Sequence, residues 1–161
     1  MSFRERLRHD SAGAYYDGSI RYMMIRPDAL MGLFARLDED ARQAALEALA
    51  HSITEHGGRS ARSYVNPDEI DALTTIIAET APQLGWGVWR FEPASEDALT
   101  VHVENSPFAE GAAFAGAVCH PIVGMLRAVG AMVFGKPCDV HEVHCANDGA
   151  DRCHFRVAVA A

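Results

Sequence analysis

The chain has 161 residues, 49% of them hydrophobic, with 14 Lys and Arg against 22 Asp and Glu for a formal net charge of −8. That length fits one ordinary domain with enough apolar residues for a core. The acidic balance argues against a nucleic-acid backbone or an anionic membrane surface as direct partner, because phosphate binding needs a concentrated basic face.

The only basic cluster, Arg4, Arg6 and Arg8, is interleaved with Glu5 and reads as a solvated N-terminus. No apolar run approaches the roughly 18 residues of a transmembrane helix, and the N-terminal Met-Ser-Phe-Arg-Glu-Arg lacks the apolar stretch of a signal peptide. The expected location is the cytoplasm, without membrane insertion. Thiols stay reduced there, so the four cysteines favour metal binding over disulfides.

In chain order, Ser19 to Arg26 alternates in part and predicts a strand stopped by Pro27. Pro27 and Asp28 open a short helix over Ala29 to Leu37. Asp38 caps the next, which places Ala45, Leu46, Leu49 and Ile53 on one side and is ended or interrupted at Gly57 and Gly58. Asn66-Pro67-Asp68-Glu69 combines a cap, Pro at the first helical position and an acid at the third; the helix it starts buries Ile70, Leu73, Ile76, Ile77 and Leu84 and closes at Pro82 and Gly85.

Trp86 to Glu92 and Leu99 to Glu104 predict a hairpin around a Pro-Ala-Ser-Glu-Asp turn. Phe108 to Gly135 is small and apolar at helical intervals, with Pro121 inside it, so that helix kinks or restarts beside Cys119. Cys138 to Ala146 and Cys153 to Ala160 form a final hairpin. The layout is a single mixed α+β domain, helices flanking a largely antiparallel sheet, with no internal repeat or linker.

The last third carries the chemistry. Cys119, Glu142, Cys145 and Cys153 are three thiols and a carboxylate, one from the helix and three from the hairpin, and the last two bracket a turn-rich heptad. Zn²⁺ takes such donors in a closed tetrahedron. Any of His120, His141, His144 and His154 could replace the carboxylate, since neutral imidazole also suits zinc. Glu142 and Cys145 are three apart and would face opposite ways in a regular strand, so a shared ion requires a bulge near Val143 and His144. Cys138 is left over as an ordinary strand residue.

An apolar pocket between the first hairpin and the broken helix is expected to involve Trp89, Val101, Val103, Phe108, Val123 and Val140, with Trp86, Phe91, Phe114 and Met125 nearby.

The segment from 105 to 161, with N-S-P-F-A at 105–109, C-H-P-I-V-G at 119–124, G-K-P at 135–137 and E-V-H-C-A-N-D-G-A-D-R-C-H-F at 142–155, resembles the vinyl-4-reductase (V4R) domain family. Residues 1–104 match it only loosely. The resemblance implies a domain that encloses a small apolar molecule and carries a structural zinc near its C-terminal hairpin. It is also similar to the sensor domains of phenol-responsive transcription activators, whose zinc ligands run Cys, Glu, Cys, Cys; these types fall on Cys119, Glu142, Cys145 and Cys153. His120 and Arg152 are the candidates to support the ligands. Val103 stands where the phenol sensors carry a ligand-contacting Trp before E-N-S, a departure that removes an aromatic donor.

Three functions follow from this resemblance: a zinc-stabilised module that binds or senses an aromatic or hydrocarbon molecule and acts through a separate output protein; a carrier, assembly factor or reductase component in tetrapyrrole vinyl reduction; and a protein-assembly module like the small subunits of vesicle-tethering complexes. Four protein ligands leave no open position for catalysis. No dinucleotide fingerprint or nucleophile elbow is present, which favours binding over an enzyme. A homodimer is expected, with Tyr15, Tyr16 and Tyr22 as interface anchors.

Overall fold

The computed structural model describes residues 2–65, 70 and 72–161. Their strands form two antiparallel sheets. The N-terminal sheet is a small meander of β1 (Arg8–His9), β2 (Tyr15–Asp17) and β3 (Ile20–Tyr22), preceded by α1 (Phe3–Arg6). The main sheet has the order β4-β5-β7-β6, from β4 (Val88–Ser95), β5 (Ala98–Glu104), β6 (Cys138–His144) and β7 (Cys153–Val159). Between them run α2 (Pro27–Phe34), α3 (Glu39–Arg62), α4 (Leu73–Thr80), α5 (Pro107–Gly111) and α6 (His120–Phe134). The mixed α+β architecture in one domain agrees with the sequence reading.

Alternation along the central strands decides which face of the main sheet is covered. Val101 and Val103 on β5 and Cys153, Phe155 and Val157 on β7 point inward and are essentially inaccessible, while His102 and His154 between them point outward. The inner face packs on α6, whose other side meets α3. Leu126 and Val129 of α6 and Leu46 and Ala50 of α3 fill this layer. Full burial of each Leu contributes about 2 kcal/mol.

Gly57 and Gly58 do not end α3, contrary to expectation; the helix runs on to Arg62. A Cβ at Gly57 would press on Met125, and one at Gly58 on Ala128. Tertiary contact with α6 outweighs the roughly 1 kcal/mol by which each Gly weakens a helix. On the same seam, a Cβ at Gly124 would collide with the Ala50 carbonyl, and the Thr54 hydroxyl shares its one proton between the Ala50 carbonyl of its own helix and the Gly124 carbonyl across the seam, both at 2.9 Å.

Two other boundaries differ. Of the strand expected over Ser19 to Arg26, only Ile20–Tyr22 pairs; Met23, Met24 and Ile25 continue without a strand partner and are 76%, 80% and 51% exposed. The first main-sheet hairpin turns at Glu96 and Asp97 alone, because β4 continues through Pro93 with a register irregularity before Ser95. Proline is tolerated there since β4 is an edge strand. The expected helix start at Asn66-Pro67-Asp68-Glu69 lies outside the described residues; the helix that follows buries Leu73 and Ile77 and ends at Gly85 with φ 79°.

Candidate metal centre and apolar cavity

Pro121 sits at the second position of α6, where the missing N–H would have had no intrahelical partner. The apolar stretch from 108 therefore divides into α5, an irregular segment and α6, as the sequence suggested. Cys119 is the residue just before α6, and its carbonyl accepts from Ile122 and Val123. Its side chain is thereby fixed under the end of the C-terminal hairpin.

That hairpin supplies the other three groups. The register passes from Glu142 opposite Phe155 to His144 opposite His154, leaving Val143 as the extra residue. This is the bulge that the spacing of Glu142 and Cys145 requires. After it the chain makes a 3₁₀ turn over Ala146–Asp148, closed by Gly149 at φ 91°, and returns as β7. Asn147 Nδ2 donates to the carbonyl of Phe114 at 2.8 Å, and Gly116 N–H to Asp148 Oδ1 at 3.0 Å, which ties the turn to the segment leading into Cys119.

Cys119, Glu142, Cys145 and Cys153 converge, with one ligand atom from each lying within 4.8 Å of all the others. Cys153 Sγ is 3.6 Å from Cys119 Sγ and 4.0 Å from Cys145 Sγ. The edge of a tetrahedron with metal–sulfur bonds of about 2.3 Å is about 3.8 Å. All three thiols are buried. Glu142 Oε2 accepts from Cys119 N–H at 3.1 Å, while its buried Oε1 has no hydrogen-bond partner. A buried carboxylate oxygen without a donor is costly, and a dication would satisfy it. The donor set is compatible with an ion of the zinc class.

Electrostatics agree with that fit. Burial, together with hydrogen bonding and repulsion from Cys145, pushes Glu142 up to about 8. Cys119 is strongly raised by hydrogen bonds to Cys145 and Cys153 and by burial. Cys153, in hydrogen-bond contact with those two thiols and accepting from Ala146 N–H, is lowered to about 4. A small polar depression of about 220 Å³ lies beside Glu142, Val143, His144 and Cys145.

Of the two supporting candidates, Arg152 faces Glu104 with 3.8 Å between Nη1 and the carboxylate. His120 is lowered by burial, its charged neighbours are Glu47 and Arg127, and its Nδ1 has no hydrogen-bond partner. A contact the sequence reading did not include is Ser106, whose Oγ lies 3.2 Å from Cys119 Sγ and also caps α5 through Ala109 N–H. Ser before Pro107 was its visible signal.

Residues 99–159 match the family model of the V4R domain. This part of the chain is similar to a V4R domain. Over 65 residues the chain is 32% identical to an uncharacterized protein of Methanocaldococcus jannaschii, a match covering 40% of this chain and 36% of that one, so it spans little over a third of that relative. Among solved structures, the fold resembles the phenol-responsive sensory domain of the transcription activator PoxR, solved with phenol, at 19% identity and a TM-score of 0.78 over 97% of this chain and 86% of that one. It also resembles a vinyl-4-reductase family protein of M. jannaschii (21%, TM-score 0.59, 87% and 85% covered) and subunit 3 of a trafficking protein particle complex from Naegleria fowleri, solved covalently bound to palmitic acid (12%, TM-score 0.62, 84% and 95% covered). These three likenesses are of fold.

Next to the main sheet's inner face lies an apolar cavity of about 390 Å³. Trp89 and Phe108 border it, with Trp86 and Met125; Val101, Val103, Val123 and Val140 are packed in the core and are not among its lining residues. Trp86 and Phe108 meet edge to face at 5.2 Å, and Trp89 Nε1–H donates to the Trp86 carbonyl at 2.9 Å. The rest of the wall comes from the N-terminal half: Tyr22, Met23 and Ile25, Ile53 and Ala61 of α3, Tyr64, and Ile77 of α4. The hydroxyls of Tyr22 and Tyr64 are 3.2 Å apart and form a polar spot in this wall. A larger depression of about 540 Å³ around Arg26, Asp28 and Arg36 has exposed walls and an internal Arg26–Asp28 pair.

Proposed function

We propose that the chain is a metal-stabilised module that binds an apolar or aromatic small molecule and transmits its occupancy to a separate output protein. The observation that carries this reading is the cavity of about 390 Å³ walled by Trp86, Trp89, Phe108, Met125 and the aliphatic side chains of α3 and α4. That volume falls at the lower end of small-molecule pockets, about 300–1,000 Å³. The Tyr22 and Tyr64 hydroxyls, with His56, Ser60 and Thr80, put a few polar groups in an otherwise apolar wall, so the fitting ligand is mostly hydrocarbon. Solved neighbours that hold phenol and a palmitoyl chain support the class.

The ion is Zn²⁺ held by Cys119, Glu142, Cys145 and Cys153, and its role is structural because the four donors close a tetrahedron. A reducing compartment such as the cytoplasm keeps these thiols available. Among the described residues no helix is long and apolar enough to cross a membrane. The chain acts as a homodimer through the N-terminal meander, where the tyrosines of β2 and β3 adjoin the exposed Met23 and Met24; light scattering that returns a monomer would remove this element. Native mass spectrometry of freshly purified protein tests the whole reading. It should show one zinc per chain and a bound apolar molecule. A protein with neither ion nor ligand, which also fails to bind phenols or fatty acids in calorimetry, would overturn it.

A further inference from the structure

A chain of side chains that begins outside the apolar cavity ends on two tyrosines in its wall. Arg6 of α1 holds the buried Asp17 of β2 through Nε to Oδ1 and Nη2 to Oδ2, both at 3.1 Å. The same guanidinium lies 5.0 Å from the centroid of the Tyr64 ring. Tyr64 in turn meets Tyr22 with 3.2 Å between the hydroxyls, and both residues border the cavity. Phe3 packs edge to face on Tyr22 at 5.3 Å and helps to hold its ring in place.

That chain sets the direction of the protons. A guanidinium carries donors only, so the Tyr64 oxygen beside Arg6 serves as acceptor and the Tyr64 proton turns to Tyr22. Burial first, then the hydrogen bond to Tyr22, raises Tyr64 well above the ordinary phenol value and keeps it a neutral hydroxyl. Among the described residues Tyr64 is the only hydrogen-bond partner of the Tyr22 hydroxyl, which keeps its own proton to donate. The wall around this donor lacks fixed charge. Asp17 neutralises Arg6, and among the described residues no Lys, Arg, Asp or Glu borders the cavity, while Ser60 and Thr80 add neutral hydroxyls. His56 is exposed, with its Nδ1 against the Arg59 guanidinium.

We propose that Tyr22, oriented by Tyr64 and Arg6, is the specificity-determining donor of the cavity and selects an uncharged ligand with an acceptor oxygen, a ketone, ester or ether on a hydrocarbon body, over an anion of the same shape. This rests on the cavity being the ligand site. An ionised carboxylate brought to the tyrosines loses its water with no cation to replace it, a cost that one phenol hydrogen bond does not offset. A fatty acid therefore enters tail first and leaves its head group at the mouth.

The test is calorimetry at neutral pH on the full chain as purified, with three probes of similar size: butylbenzene, para-butylacetophenone and para-butylbenzoate. The ketone should bind more tightly than the near-isosteric benzoate by about 10-fold or more. Tyr22→Phe should weaken the ketone by about 5- to 10-fold and leave butylbenzene and the benzoate unchanged, and Tyr64→Phe, which leaves the Tyr22 proton unoriented, should weaken the ketone by less. A merely structural tyrosine would lower all three affinities together. That result, a benzoate bound as tightly as the ketone, or a ketone indifferent to Tyr22→Phe would overturn the proposal and leave the cavity as the ligand site. Binding of none of the three would remove both. The comparison of ketone with benzoate uses the unaltered protein and decides even where a tyrosine variant fails to fold.

Discussion

The candidate metal centre draws on one residue before α6 and three from a single hairpin, whereas the apolar cavity takes its wall from residue 20 to residue 125. The first depends on few positions, each held by a specific contact: the α6 N-terminus for Cys119, a one-residue bulge for Glu142 and a Gly-closed turn for Cys145 and Cys153. The second depends on many interchangeable apolar side chains from the N-terminal meander, α3, α4, β4, α5 and α6. A site of the first kind fails when one residue changes. One of the second kind shifts its selectivity, because apolar contacts are non-directional.

The largest expected difference between the two comes from Cys153→Ser. It should abolish stoichiometric zinc and lower stability by roughly 3 kcal/mol or more, since a closed site contributes its binding free energy to folding. Thermal unfolding with parallel elemental analysis measures both. Full zinc content in this variant would show that Cys153 is not a ligand. Cys138→Ser, at the far end of β6, should change neither quantity.

pH separates the metal-free and metal-loaded forms with the next largest effect. In the metal-free fold Glu142 is raised from 4.5 to about 8, so its contribution is present below its ordinary value and is lost as pH rises through about 8. Cys153 is lowered from 9.0 to about 4, so its contribution is full above 9.0 and is lost as pH falls through about 4. Between roughly pH 5 and 8 the folded cluster has gained one proton on Glu142 and given up one on Cys153 relative to the unfolded chain, and these two groups leave stability nearly flat. The metal-loaded form has no thiol protons, so its unfolding takes them up. Its stability should rise by about 1.4 kcal/mol per pH unit for each thiol proton. Parallel slopes for the two forms in denaturant titrations would contradict the ligand assignment.

This contrast also explains what the sequence disclosed. Donor identity and spacing made the cluster readable, down to the bulge near Val143, because few geometries bring Glu142 and Cys145 to one ion. The cavity was only partly readable. Trp89 and Phe108 do line it, but Val101, Val103, Val123 and Val140 have the same apolar signature and pack elsewhere. Nothing in a local pattern told which buried residue borders space and which borders another side chain. Tyr64, Ala61 and Ile77 reach the cavity through tertiary packing of α3 and α4, a long-range relation that local periodicity does not encode. Gly57 and Gly58 misled for a related reason: their purpose is close approach to α6, not termination.

Filling the cavity should act on ligand binding and leave the metal alone. Ala61 is 1% exposed and borders the cavity from α3. Ala61→Leu adds about three methylene-sized groups into that space and should weaken binding of a phenol or fatty acid by about 10-fold, equivalent to 1.4 kcal/mol. Zinc content should stay the same. Calorimetry showing unchanged affinity would place the ligand outside the cavity, and a loss of zinc would show that the two regions are not independent.

Ser106 is where the regions meet, and it carries the smallest predicted effect. Its hydroxyl caps α5 through Ala109 N–H and lies 3.2 Å from Cys119 Sγ, while Phe108, two residues on, places its ring in the cavity wall against Trp86. Asn105, in the left-handed region at φ 55°, makes the turn out of β5 that sets this geometry. Ser106→Ala removes a cap worth about 1 kcal/mol, and also a hydrogen bond to a sulfur that is a zinc ligand in the proposed site. If the metal centre and the cavity communicate, α5 is the direct path between them. Ser106→Ala should then lower stability by about 1 kcal/mol in the zinc-loaded protein and also weaken ligand binding a few-fold, through a looser Phe108. A double-mutant cycle with Ala61→Leu gives the coupling term. A stability loss with ligand affinity untouched would mean that the zinc centre fixes the fold and has no bearing on what the cavity holds.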